Sequence, residues 1–203
     1  MKRLADFIMR RRAKRLVRRI RPYLPDRGTA ADIGSGTGHN AELLRSALGL
    51  DTVEFDVEDI HWTGPPPKLI QNGVLPAGDS SVDVSLLLFV LQYPTDPAAL
   101  LAEARRITRG RIIVVQSTFD GPFAHAVLRL REFFFGRFGY RLARWAGLIS
   151  AGNCPLSPTH YFSRDSLVAV FEAAGLSVEL FQPQKKSLVR LSRDLFILRR
   201  REP

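Results

Sequence analysis

The chain has 203 residues, one cysteine and a formal net charge of +10, with 45% hydrophobic and 25% charged residues. That length suits one domain with a self-sufficient core, and the composition is ordinarily globular. A lone Cys154 excludes an internal disulfide and a multi-cysteine metal site, and makes the cytoplasm the default compartment. No apolar run approaches the length of a membrane span, and no apolar segment of the signal-peptide kind follows the basic N-terminus.

The charge is unevenly placed. Residues 1–27 hold eleven Lys/Arg against Asp6 and Asp26, so this segment supplies nearly all of the excess. Residues 3–24 read as a helix, with Leu4, Phe7, Ile8, Leu16, Val17, Ile20 and Leu24 taken as its apolar positions and Pro22 and Pro25 closing it. Arg10, Arg11, Arg12, Lys14, Arg15, Arg18 and Arg19 fill the rest. A basic amphipathic helix of this kind, residues 1–21, points to an anionic membrane surface. Nucleic-acid phosphate is a second partner for it, and a solvated face a third reading.

Ala30-Ala31-Asp32-Ile33-Gly34-Ser35-Gly36-Thr37-Gly38 is a strand running into a tight glycine turn, and Ala41-Glu42-Leu43-Leu44-Arg45 continues it as a helix. Three glycines at alternate positions permit positive φ and close approach of a ligand to the main chain. A dinucleotide fold needs G-x-G-x-x-G. Here the spacing is G-x-G-x-G, and Asp32 precedes the first glycine by two. A carboxylate there repels a pyrophosphate and suits an ammonium group.

Asp51-Thr52-Val53-Glu54-Phe55-Asp56 is a second strand ending in an acid, and an acid at that place in a nucleotide-binding sheet accepts hydrogen bonds from ribose hydroxyls. Glu54 is expected on the opposite face. Val57 to Lys68 contains Gly64-Pro65-Pro66-Pro67 and cannot propagate a helix. Lys68 to Gln71 is a short third strand. Val84 to Leu91 is a continuous apolar run, as a central strand covered on both faces requires.

The turn Asp-Ile-Gly-Ser-Gly-Thr-Gly, followed by Asp56 and by Leu75-Pro76-Ala77-Gly78-Asp79-Ser80-Ser81-Val82-Asp83, resembles the class I S-adenosylmethionine-dependent methyltransferases over about residues 15–118 and again from 160. The resemblance implies an α/β, Rossmann-like, seven-stranded and mostly parallel sheet. Its last strand would be antiparallel, with helices on both faces and a helical lid insertion. Residues 1–203 would form one domain, with 1–25 as a basic helix covering the sheet and 119–160 as the lid. S-adenosyl-L-methionine is the implied cofactor. Asp32, Gly34, Ser35, Gly36, Thr37 and Gly38 are the expected contacts to its methionine end, Asp56 to its ribose, Gln71 and Asn72 to its adenine, and Phe89 to the methyl donor, with Val57 a further cofactor contact. Where many relatives carry an acid, Gln71 and Asn72 offer amide oxygens.

After the fourth strand, Val90-Leu91-Gln92-Tyr93 resembles the Val-Leu-His-His of relatives that act on small molecules and lipids. It lacks the Asn/Asp-Pro-Pro-aromatic of nucleic-acid amino-methyltransferases. Residues 119–160 carry seven aromatics between Phe123 and Trp145, interleaved with Arg129, Arg131, Arg137, Arg141 and Arg144. A greasy lid of this kind suits a small hydrophobic or lipid-like acceptor. The arginines would join the N-terminal helix in facing the inner leaflet of a membrane as a peripheral protein. No dedicated base stands out, and His39, His125, His160 and Tyr93 are the candidates. An RNA methyltransferase explains the basic arm but not the Gln92-Tyr93 sequence. A non-catalytic cofactor-binding or membrane adaptor keeps the fold without turnover. The glycine spacing disfavours a nicotinamide dehydrogenase.

Overall fold

The computed structural model describes residues 2–119, 158–186 and 191–201. Helix α1 (Lys2–Ile20) runs into a single 3-10 turn at Arg21–Tyr23, where Pro22 ends the α-helical pattern earlier than the expected residue 24. Then follow β1 (Thr29–Ile33), α2 (His39–Leu48), β2 (Asp51–Asp56), β3 (Lys68–Leu69), β4 (Val82–Leu88), α3 (Pro97–Ile107) and β5 (Thr108–Phe119). After residue 157 come β6 (Phe162–Ser163), α4 (Arg164–Ala173), β7 (Leu176–Gln182), β8 (Lys185–Lys186) and β9 (Leu191–Arg200). The lid expected at 119–160, with its arginines, His125 and Cys154, lies almost wholly outside the described residues.

The sheet order is β3-β2-β1-β4-β5-β9-β7, with β6 added beside β5 and β8 beside β9. β1, β2, β3, β4 and β5 are parallel, and β9 runs antiparallel to both β5 and β7. This is the mostly parallel, Rossmann-like sheet expected from the sequence. β3 is shorter than expected, pairing only Lys68 and Leu69 with Phe55 and Asp56. β4 stops at Leu88 rather than Leu91, because Phe89 turns to a left-handed φ of 65°.

Two cores flank the sheet. One packs α1 and α2 on it through Leu16, Val17, Ile20 and Leu44 against Ala30, Leu86, Ile113 and Ile197. The other packs α3 and α4 through Leu101, Ile107, Leu167 and Phe171 against Ile33, Leu87, Val114 and Phe196. Alternation along β4 and β9 feeds both, as a strand period of two requires. Local chemistry sets the helix ends. Gly38 starts α2 at φ 80° and Gly49 ends it at φ 65°, with Leu50 N–H donating to Leu44 O. Asp96 caps α3 ahead of Pro97, and Ser163 caps α4 as expected.

The apolar positions of α1 divide into two sets. Ala13, Leu16, Val17 and Ile20 are buried, whereas Leu4, Phe7 and Ile8 are 66%, 58% and 52% exposed. At about 100° per residue the two sets lie on opposite sides of the helix, so the expected single stripe is two. Arg11, Lys14, Arg15 and Arg18 continue the outward set and are exposed. Of the other arginines, Arg10 pairs with Asp6 and Glu42, and Arg19 donates to the carbonyls of Arg193 and Gln182.

Candidate active site

The glycine turn is held from below by β2. Gly34 N–H donates to Phe55 O at 2.7 Å and Ser35 N–H to the same oxygen at 3.2 Å. All three glycines have left-handed φ values: 73° at Gly34, 58° at Gly36 and 80° at Gly38. Their surroundings differ. A methyl group at Gly34 would lie 2.5 Å from Val90 Cγ2, and one at Gly38 would strike the Thr63 carbonyl. At Gly36 the space is open, so this is where a ligand can meet bare backbone.

Asp32 sits just before this turn and is 1% exposed, with neither carboxylate oxygen hydrogen-bonded among the described residues. Burial, with Glu54 and Asp56 adding their negative charge, pushes its pKa up to about 7. A buried carboxylate with two unused oxygens is a site built for a cationic hydrogen-bond donor. Asp56 is half-buried. Its Oδ2 accepts from Gly36 N–H at 2.7 Å and its Oδ1 from Val57 N–H at 2.8 Å. Each oxygen retains acceptor capacity for hydroxyl donors.

Glu54 shares this face instead of pointing to the other. It stands two residues from Asp56, one full strand period, and the expected opposite orientation is corrected by that parity. Its buried carboxylate pairs with Arg45 from α2, and Arg45 also donates to Thr52 O at 3.0 and 3.2 Å. Burial raises the Glu54 pKa, and Arg45 works against that rise. His61 lies 3.1 Å away, within ion-pair distance of Glu54 Oε2 but not aligned for a hydrogen bond. His61 Nδ1 is 2.6 Å from Pro65 O, so Nδ1 carries the proton, and Nε2 meets Ser35 Oγ at 2.9 Å. The loop from Val57 to Pro67 therefore folds back on the glycine turn, and Trp62 N–H donates to Thr37 O at 3.2 Å. Trp62 packs edge-on to His39, 6.2 Å between ring centroids.

The remaining expected contacts are dispersed. Thr37 Oγ1 engages His39 Nδ1 at 2.9 Å, and Asp6 holds the other ring nitrogen, which ties His39 into the fold. Val57 is exposed, and Gln71 and Asn72 are exposed in a tight turn closed by Val74 N–H on Gln71 O. Phe89 lines a pocket of about 290 Å³ with Tyr93, His160, Phe162, Arg12 and Arg193. His160 reaches it because Thr159 and His160 N–H both donate to Gln92 O; its Nε2 lies 3.2 Å from Thr95 O. A larger cavity of about 510 Å³ lies at the opposite ends of the strands, among Asp83, Arg109, Arg111 and Arg200. Ligands of open parallel sheets bind at the carboxyl ends, where the glycine turn is.

A family model described as a methyltransferase domain matches residues 6–180. The chain belongs to that family. A SAM-dependent methyltransferase from Methanosarcina mazei is similar in fold, with 16% identity, a TM-score of 0.63, and coverage of 91% of this chain and 97% of the other. Geranyl diphosphate methyltransferase in complex with SAM is 14% identical, with a TM-score of 0.65 over 94% and 85% of the two chains. The cyclase SpnF has the same fold at 12% identity and a TM-score of 0.65, over 96% and 81% of the two chains. Among curated sequences, an uncharacterised 37.1 kDa protein in a transposon of Streptomyces fradiae is 32% identical over 106 residues. That match spans 45% of this chain and about a third of the relative (31%).

Two of these fold neighbours are SAM-dependent or in complex with SAM, and this methyltransferase domain offers a site whose chemistry can be compared with S-adenosyl-L-methionine. Its residues fit that group: Asp32 offers an unpaired buried carboxylate to the ammonium, Gly36 an open backbone, and Asp56 oriented oxygens to a ribose. Arg45, His61, Val90, Arg12 and Arg193 were not singled out as site residues in the sequence. Glu54 alone had a sequence signal, its spacing of two from Asp56.

Proposed function

We propose that this domain transfers the methyl group of S-adenosyl-L-methionine to a small acceptor with an apolar body, at the surface of an anionic membrane. The observation that carries the cofactor half is Asp32, buried with both oxygens unpartnered beside a glycine turn whose middle residue faces open space. The bound cofactor supplies an electrophilic methyl group on a sulfonium. The chain's part is alignment: Asp32 and Asp56 fix the two ends of the donor, and the pocket at Phe89 and Tyr93 fixes the acceptor. Holding two reactants in line is worth about 7–11 kcal/mol of a bimolecular barrier. His160 and Tyr93 border that pocket and are the groups placed to orient or deprotonate an acceptor.

The outward stripe of α1 supports the surface assignment. Leu4, Phe7 and Ile8 form an exposed apolar tip, and Arg11, Lys14, Arg15 and Arg18 extend the same side with positive charge. That is the arrangement of a helix lying in a lipid interface. The test is calorimetric titration with S-adenosylmethionine and, separately, NADH, followed by transfer of a labelled methyl group into membrane lipid extracts and into RNA. Binding of the former alone, with label entering the lipid fraction, is expected. Failure to bind S-adenosylmethionine, with or without vesicles, overturns the reading.

A further inference from the structure

Several arginines of the described residues have carboxylate partners. Arg45 has Glu54, Arg106 has Glu103 and Asp79, Arg164 has Asp194, and Arg111 and Arg199 share Glu179. Among the described residues Arg12 and Arg193 have none, and both side chains are exposed. Both guanidiniums lie over the ring of Phe89, at 5.1 and 5.7 Å from its centroid, and both line the pocket that holds Tyr93 and His160.

They arrive from distant parts of the chain. Arg12 comes from α1 and Arg193 from β9, a strand that β5 separates from β4, and the two meet over Phe89 just beyond the end of β4. Their position is enforced. Ala13 and Leu16 bury the inner side of α1, while Arg193 N–H donates to Gln184 O and its carbonyl accepts from Arg19. Partial burial and the neighbouring Arg193 charge lower the pKa of Arg12 from its ordinary value. An attraction to one aromatic face is small for each cation. It does not account for two like charges converging on one ring beside a concave surface.

We infer that Arg12 and Arg193 form an oxyanion subsite that holds a phosphate group on the acceptor, with Phe89 and Tyr93 beside it. The inference rests on the methyl-transfer reading and names its substrate class: a phosphorylated molecule with an apolar body. Two guanidiniums match the roughly two negative charges of a phosphate monoester and can donate to several of its oxygens. A carboxylate would leave one cation uncompensated. The apolar body would run toward Tyr93 and Phe162, away from the Phe89 ring that the charges cover. The phosphate stays on the acceptor throughout and no bond to it changes.

The test uses the full chain loaded with S-adenosylhomocysteine and three probes: octyl phosphate below its micellar range, 1-octanol, and inorganic phosphate. Octyl phosphate is expected to bind at least tenfold more tightly than either other probe. Arg12→Gln and Arg193→Gln are each expected to weaken it at least tenfold, with S-adenosylhomocysteine affinity retained as the check on folding, and Arg12→Lys to keep most of the binding. Equal binding of octanol, or unchanged octyl phosphate affinity in both Gln variants, overturns the subsite. Equal binding of inorganic phosphate overturns the apolar-body assignment. If the parent binds octyl phosphate in an arginine-dependent way but binds no S-adenosylmethionine, the subsite stands and the methyl-transfer reading falls.

Discussion

Asp32 and Glu54 stand opposite each other on adjacent parallel strands, and among the described residues only Glu54 has a cationic partner. One carboxylate is thus neutralised by Arg45 and the other is left for a ligand. The pKa of Asp32, pushed up to about 7 from 3.8, makes the ligand-free fold sensitive to pH. Below pH 4 the carboxyl is protonated in both folded and unfolded chains. As pH rises toward 7 the unfolded chain ionises and the folded one resists, so the stability held by the protonated form is lost through that window. The shift corresponds to about 4 kcal/mol. Urea unfolding of the ligand-free protein between pH 5 and 8 should show this fall, and Asp32→Asn should remove most of it. A parent and variant with parallel pH profiles would contradict the buried, unpaired carboxylate.

Cofactor binding has the opposite dependence. The ammonium of S-adenosylmethionine requires the Asp32 carboxylate, so affinity rises from pH 5.5 to 7.5 and binding at pH 6 releases close to one proton. Calorimetry in two buffers of different ionisation enthalpy measures that proton directly. Asp32→Asn is expected to stabilise the ligand-free fold at pH 8 and to weaken the cofactor at least tenfold, two changes of opposite sign from one substitution.

The glycines of the turn should separate in the same assays. Gly34→Ala meets Val90 at 2.5 Å in a left-handed backbone and should cost about 2–4 kcal/mol of stability. Val90→Ala in that background should return part of it. Gly36→Ala meets nothing, so its stability cost should be near 1 kcal/mol while its effect on cofactor affinity is the larger one. If Gly36→Ala binds the cofactor normally, the ligand does not approach the backbone there.

The buried Glu54–Arg45 pair predicts non-additivity. Arg45→Ala strands a carboxylate in the interior and should destabilise by about 3 kcal/mol, whereas Arg45→Ala with Glu54→Gln should be milder than the sum of the two changes. A double-mutant cycle by chemical denaturation reads the coupling, and additive values would show that Glu54 is sustained by other contacts.

Surface attachment is the fifth expectation. Vesicles with anionic lipid should bind the protein at low salt, and added salt should release it. Changing Leu4, Phe7 and Ile8 together to Ser should lower vesicle affinity at least tenfold without altering S-adenosylmethionine binding. Co-sedimentation settles both points, and a parent that stays in the supernatant at low salt removes the membrane from the proposal.

The glycine turn, Asp32 and the succession of strands along the chain were legible because each is local: a spacing of glycines, an acid two residues before them, apolar runs of strand length. Ser163 as a helix cap was legible for the same reason. What escaped depends on contacts distant in sequence. His61 is oriented by Ser35, Glu54 and Pro65, and nothing in the residues around it announces that environment. Arg12 and Arg193 acquire meaning only when α1 and β9 meet at Phe89. Glu54 was a misreading of parity, correctable from the strand alone. In α1, the face changes midway, and a periodicity counted over the whole helix merges two stripes into one.

Arg45 has a second consequence, at the margin of the sheet. β3 covers only Phe55 and Asp56, which leaves the first half of β2 without a neighbouring strand on that side. An uncovered strand of this kind is a template for pairing with another chain. The Arg45 guanidinium, donating to the Thr52 carbonyl, occupies a main-chain acceptor in that stretch and sets a positive charge against it. A protein lacking Arg45 would therefore be prone to edge-to-edge self-association as well as less stable, and the side chain that balances Glu54 also guards solubility.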